Sequence, residues 1–485
     1  MVGESILVAE ALVGPEYRSA GPSEIHLSGG RITGLTAAPE GIATKALALP
    51  APVNAHDHAR PLSATSFGLA GEPLETWLVG LGVMPPVDAG LAARAALSRA
   101  ALGGVGAIMV HLTRPMGLVP LEEEALQIAD AADEIGVRIA LAISLRDKNP
   151  LIYGDHDPVL NALSAQHNGA AAQRLAAALD RPMPSIEAQI ATVERVAKTL
   201  SGRKVDVQFG PTGPQWCSPE LLEAVAHASA RTGRRIHMHL LETRYQRAWA
   251  DHQYPTGLVA MLQRIGFLSP RLTLAHGTWA QPDELEMIAA SGATIAVNTS
   301  SNLHLKSGIA PVAAMKTAGV RIAMGIDGCA FDEDDDALRE VRLMRALHAG
   351  HGFDDGLTPS DALEAACMTG RSTLGLSPGG RLEAGAAGDI LLLDLEALDR
   401  DALLPIDPRA LLIMRARREH ILGLWVDGRP VISQRRLIGI DATKVEADLR
   451  TAYREALPQT AQFRSDWQEL RPALATWYRD RMGCC

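Results

Sequence analysis

The chain has 485 residues, of which 47% are hydrophobic and 21% charged, and its formal net charge is -10. That length is too great for one ordinary compact domain, and the composition is globular rather than disordered. The acidic balance excludes the basic face of a nucleic-acid binder, and no apolar stretch approaches the roughly 20 residues of a membrane span.

The opening Met1-Val2-Gly3-Glu4-Ser5 lacks the basic and apolar regions of a signal peptide. Five scattered cysteines, Cys217, Cys329, Cys367, Cys484 and Cys485, offer no disulfide framework, so a reducing cytoplasm is expected. Residues 1–48 carry short β segments at 4–11, 24–27 and 31–35. The last two read as a hairpin around Ser28-Gly29-Gly30. An apolar run at 46–53 then leads as a buried strand into Val53-Asn54-Ala55-His56-Asp57-His58.

From there strands and helices alternate. Strands are predicted at 105–112, 137–145, 205–209, 235–240, 272–276, 294–298 and 321–326. Helices are predicted at 92–102, 121–135, 185–200, 219–232, 257–265, 282–290, 311–318, 336–349 and 359–374. With the strand before His56 this makes eight. The expected fold class is α/β, a (β/α)8 TIM barrel over 49–375, with its active site at the carboxyl ends of the strands. Residues 146–183, rich in Asn, Gly, Asp and Pro, read as an irregular insertion over one end. Residues 376–436 return to β character, with strands at 389–394, 421–426 and 430–433. They are expected to join 1–48 in one small β-sandwich domain built from both chain ends. Residues 437–485 read as a helical extension packed on the barrel surface.

Several predicted strands end in residues fit for chemistry. His56 and His58 lie two apart, so their imidazoles share one face. The fifth strand ends in His239 with Glu242 three residues on, the sixth in His276 and the eighth in Asp327. Imidazoles at 56, 58 and 239 with the carboxylate at 327 suit one divalent ion, zinc or iron, that keeps a water. Such an ion generates hydroxide near neutral pH. Glu242 stands near enough to relay protons as general acid and base, and His276 to polarise the atom under attack.

This set resembles the amidohydrolase superfamily, specifically its cytosine deaminase-like branch, which includes guanine, adenosine-type and triazine deaminases and chlorohydrolases. The matching stretches are NAHDH at 54–58, HLLE at 239–242, AHGT at 275–278, SNLHLKSGIAP at 301–311, GIDG at 325–328 and GRLEAGAAGDILLLD at 380–394. The resemblance implies His56, His58, His239 and Asp327 as metal ligands and Glu242 as proton shuttle. His276 would contact substrate or hydroxide, and Asp327 would also take a proton from the water. It implies a homodimer as well. The fourth strand, Val205-Asp206-Val207-Gln208-Phe209-Gly210, lacks the bridging Lys of binuclear members, which favours a single ion.

Other polar residues admit plainer roles. His237 shares the face of His239 one layer deeper and reads as barrel interior. His111 ends the second strand and is either a substrate contact or a hydrogen-bonded structural residue. Gln215, Trp216 and His304 are substrate-contact candidates. His227, His348 and His351 read as solvated helix residues, and Asp332 to Asp336 as a solvated helix start. His58-Ala59-Arg60-Pro61 and the segment from Gly210 to Trp216 depart from the commonest members beside the expected pocket, which leaves the substrate open.

The expected function is metal-dependent deamination of an amino-substituted purine, pterin, pyrimidine or triazine, with ammonia release. Alternatives are ring opening of a cyclic amide, a chlorohydrolase with the same site, or a catalytically inactive barrel acting as a binding protein.

Overall fold

The structure, a computed structural model, describes residues 4–41, 44–151, 153, 157–166, 169–328, 333–354, 356–376 and 378–482. Cys329, Asp332, Cys484 and Cys485 lie outside the described residues. Eight parallel strands form the central sheet: β1 Val53–Asp57, β2 Ala107–Leu112, β3 Arg138–Leu145, β4 Val205–Pro211, β5 Ile236–Leu240, β6 Leu272–His276, β7 Thr294–Val297 and β8 Arg321–Met324. Each pairs with its sequence neighbour. The His56 carbonyl accepts from the amides of Ile326 and Asp327, at 3.2 and 2.9 Å, and so ties the start of the sheet to its end. The result is the expected (β/α)8 barrel. The strands Val53–Asp57, Ala107–Leu112, Ile236–Leu240 and Leu272–His276 are buried along their whole length, because helices cover their outer faces while side chains fill the interior.

Helix starts follow the sequence signals. Ser218 caps Pro219–Thr232 by accepting from the Leu221 amide at 3.0 Å, and Gly233 ends that helix at φ +75°. The helix at 359–374 is interrupted by a wide turn over Glu364–Thr369. Beside the barrel, Ala46–Pro50 pairs antiparallel with Ile390–Asp394, which continues through Ile421–Val426 to Arg429–Ser433. A separate three-stranded sheet holds Glu4–Val8, Ser23–Ser28 and Arg31–Ala37. Gly29 and Gly30, at φ +58° and +81°, make its hairpin turn.

Four expectations need correction. The insertion is helical in good part, with helices at Asp157–Gln166 and Ala170–Leu179. Val159, Leu163, Ala172 and Leu175 recur at helical spacing and bury against Trp467, Leu470 and Leu474 of the C-terminal helix. The C-terminal extension therefore does two things. Ala442–Ala456 packs on the barrel helix Ala89–Leu102, whereas Ala461–Met482 belongs to a second hydrophobic core with the insertion helices. Asp335 and Asp336 are not solvated, being 5% and 4% exposed. Asp336 caps Ala337–Leu347 through the amides of Leu338 and Arg339, and Asp335 lies 3.7 Å from Arg99. His348 at the end of that helix is also buried.

Candidate metal centre

β1 delivers His56 and, one residue past its end, His58. β5 delivers His239, β6 ends on His276, and Asp327 follows β8. All five meet at the carboxyl end of the barrel. Asp327 Oδ1 lies 3.2 Å from both His56 Nε2 and His58 Nε2, and His58 Nε2 lies 3.3 Å from His239 Nε2. His276 and Asp327 adopt φ of +75° and +64°, a left-handed backbone that costs a non-glycine residue about 1–2 kcal/mol. His276 ends its strand and Asp327 stands three residues past the end of β8.

The outer atoms of the cluster are fixed from behind. The His111 carbonyl accepts from His58 Nδ1 at 2.8 Å, and the Thr212 carbonyl accepts from His239 Nδ1 at 2.6 Å. A carbonyl can only accept, so each Nδ1 carries the proton and each Nε2 is left with a lone pair. Those two lone pairs face each other at 3.3 Å. Burial holds the pKa of His239 well below, and that of His58 below, the ordinary value, so neither ring is protonated to relieve the clash. Burial likewise takes His56 down to about 4. Its Nε2 and Asp327 Oδ1 are buried without a hydrogen bond. Burial alone would raise the Asp327 pKa, but the surrounding imidazoles hold it well below the carboxylate range. Three neutral nitrogen donors and one anionic oxygen, converging without hydrogen bonds to satisfy them, fit a divalent cation.

Around this centre Ser301 Oγ donates to Asp327 Oδ2 at 2.7 Å. Glu242 Oε2 lies 3.5 Å from His276 Nε2, and Glu242 Oε1 accepts from Ser307 Oγ at 3.3 Å. Burial pushes the Glu242 carboxyl up to about 7. His276 Nδ1 sits 2.9 Å from Asn302 Oδ1 and 3.1 Å from Asn298 Nδ2, and Nε2 is buried without a hydrogen bond among the described residues. A cavity of about 400 Å³ opens above, reaching His58, His239, Glu242, His276 and Asp327 at its floor.

The remaining candidates divide. Gln215 and Trp216 line the cavity, and Gln215 Oε1 accepts from Gln246, whose own oxygen holds the Glu242 amide. His111 is fully buried beneath the cluster, bonded through Nε2 to the Gly210 carbonyl, and does not line the cavity. His304 faces a narrow crevice with Arg60, Trp77 and Asp327. His237 is barrel interior, its Nε2 2.7 Å from His56 Nδ1. Sequence reasoning did not single out Ser301, Asn302 and Ser307, although they lie inside SNLHLKSGIAP. It also missed Arg146 in the cavity wall, whose guanidinium makes no hydrogen bond or ion pair among the described residues.

A parallel eight-stranded barrel with imidazoles and a carboxylate converging at its carboxyl mouth defines a (β/α)8 protein with a metal-type centre. Residues 47–431 match the amidohydrolase family, and the chain belongs to that family. It is 30% identical over 254 residues to a 5'-deoxyadenosine deaminase of Methanosarcina barkeri, a match covering 52% of this chain and 58% of the relative's length. It is 28% identical over 399 residues to an 8-oxoguanine deaminase of Pseudomonas aeruginosa, covering 80% and 84%. The fold superposes on an adenosine deaminase from Xanthomonas campestris solved with bound zinc, with a TM-score of 0.75 at 23% identity over 94% of this chain and 98% of that one. The family binds a divalent metal ion.

Proposed function

We propose that the protein is a metal-dependent hydrolase that releases ammonia from an amino-substituted nitrogen heterocycle. The observation that carries this reading is Glu242 paired with His276 at 3.5 Å, beside three imidazoles and a carboxylate on the floor of one cavity. The deaminase relatives support it. His56, His58, His239 and Asp327 hold one ion per chain, and zinc is the ion this donor set favours. Bound there, the ion supplies Lewis acidity and a water whose pKa falls toward neutrality.

The chain's own residues do the rest. Glu242 takes a proton from the attacking water and delivers it to the heterocycle. In balance, the water oxygen joins the amidine carbon and the bond to the exocyclic amine breaks. One proton ends on the ring nitrogen and the other leaves with ammonia. His276 Nε2, between Glu242 and Asp327, orients and polarises the group under attack. Ser301 holds the second Asp327 oxygen so that the first stays aimed at the cluster. Gln215 and Trp216 flank the ring.

The test is ammonia release by the zinc-loaded protein from a panel of purines, pterins, pyrimidines and triazines. Chloride and ring-opened products are scored in the same assays. No ammonia from any member, with the ion bound, refutes deamination. We further infer a cytoplasmic homodimer acting on a small heterocycle, and light scattering of the purified protein tests the dimer. Among the described residues no helix is long and apolar enough to cross a membrane.

A further inference from the structure

We propose that the C-terminal helix Ala461–Met482, which lies beyond the residues matched to the family, is part of the substrate site, with Phe463 and Tyr478 as specificity-determining residues. This rests on the deaminase reading of the floor and adds what bounds the substrate above it. Phe463 and Tyr478 line the same cavity that reaches Glu242 and Asp327. Trp77, Tyr153 and Leu175 line it too, so aromatic and apolar side chains make up much of the wall that Phe463 and Tyr478 share, beside the charged Arg60, Glu75, Arg114 and Arg146. A flat heterocycle on the floor would therefore carry its ring substituent against these side chains. Their size sets the size of substituent accepted.

The helix is fitted to this place. Trp467, Leu470 and Leu474 bury in a core with Trp77, Leu81 and Leu163, separate from the barrel core. Asp466 accepts from Arg174 Nε and a terminal nitrogen at 2.8 and 2.6 Å, and Thr460 Oγ1 donates to the Val83 carbonyl at 2.8 Å. Gly80 and Gly82 give independent evidence. Gly80 has ordinary helical angles, φ -57° and ψ -27°, and Gly82 is not at positive φ, so neither needs glycine for its backbone. A Cβ at Gly82 would lie 2.5 Å from the Phe463 ring. One at Gly80 would lie 2.7 Å from Leu69 and 3.1 Å from Trp467. Glycine is disfavoured in helical backbone relative to alanine. Here it allows the close approach that brings Phe463 to the cavity.

The plainer alternative is a helix that only adds stability. Leu470 separates the two, because it is buried in the same core and does not line the cavity. Phe463→Ala, Tyr478→Ala and Leu470→Ala are each loaded with zinc and compared on two measurements. The first is kcat/KM for a bare amino-heterocycle against the same ring bearing a bulky substituent, such as adenine against 5'-deoxyadenosine. The cavity-facing variants should shift that ratio roughly tenfold, the scale of a changed apolar pocket, while Leu470→Ala keeps it. The second needs no turnover: the rate at which dipicolinate strips the ion, which should rise for Phe463→Ala and Tyr478→Ala above both wild type and Leu470→Ala. Failure of every substrate to release ammonia removes the deaminase reading, and the chelation rates then decide the helix alone. Cavity-facing variants that behave like Leu470→Ala overturn the proposal.

Discussion

Replacing Glu242 with Gln is the sharpest test of the site. The amide is isosteric and can still accept from Ser307 Oγ, now at 3.3 Å, while the Glu242 amide stays bonded to Gln246 at 2.7 Å. Position and fold should therefore be kept, with a stability change on the order of 1 kcal/mol, the scale of one hydrogen bond. The metal should also be kept, because Glu242 is not among the converging donors. What is lost is a group that can accept and return a proton 3.5 Å from His276 Nε2. General acid and base help is worth about 10² to 10⁴ in rate, or roughly 3–5 kcal/mol of barrier. That loss should fall on kcat with little change in KM, because the proton moves only during the chemical step. The assay is steady-state ammonia release at matched zinc content, with a single-turnover measurement to confirm that chemistry limits. A zinc-replete Glu242→Gln protein with near-normal turnover would refute the proton-shuttle role. A protein that had lost its zinc would instead make Glu242 a ligand.

Three further outcomes are expected. His56→Ala and Asp327→Ala should lose metal and turnover together, read by metal analysis; a variant that keeps a full ion would remove its residue from the donor set. Glu340, 2% exposed and accepting from the Ser300 amide at 3.0 Å, has its carboxyl pushed up to about 7 by burial. The folded protein then binds more protons than the unfolded chain between about 4.5 and 7, so this group's contribution is full below that window and is lost as pH rises through it. Glu340→Gln should thus gain thermal stability over wild type between pH 5 and pH 8, by at most about 3 kcal/mol, and a pH-independent difference would contradict the burial argument. Finally, we propose residues 1–48 and 376–436 as one domain. Amides of residues 46–49 and Ile390–Asp394, in strands paired over five residues, should exchange with solvent as one cooperative unit, and separate exchange would divide them.

How much the sequence disclosed depends on where the information lies. Each barrel strand announces itself by an apolar run, and its polar terminal residue is local to that run. The convergence of His56, His58, His239, His276 and Asp327 was therefore legible once eight strands were counted. What holds them was not. The carbonyls of His111 and Thr212 fix two imidazoles, and a backbone carbonyl leaves no trace in residue type. The helices at Asp157–Gln166 and Ala170–Leu179 were hidden for another reason. Their Ala-rich faces are broken by Asn, Gly and Asp, and the residues that bury them, Trp467 to Tyr478, lie some 300 positions away. His348, Asp335 and Asp336 looked solvated because charge and helix ends usually are, and only tertiary packing covers them.

The floor and the wall of the cavity thus come from different kinds of segment. The floor is set by strand ends in a barrel buried on both faces, where a shift in one ligand would disturb the packing of its neighbours. The wall comes from the loops after β1, β2, β3, β4 and β7 and from the C-terminal helix, and those after β1, β3 and β7 share a hydrophobic core of their own with that helix. Under the proposal for the C-terminal helix, reaction type thus falls to the floor and substrate choice to the wall. Substitutions at Phe463 or Tyr478 should alter which heterocycle is taken while the metal content stays that of the wild type.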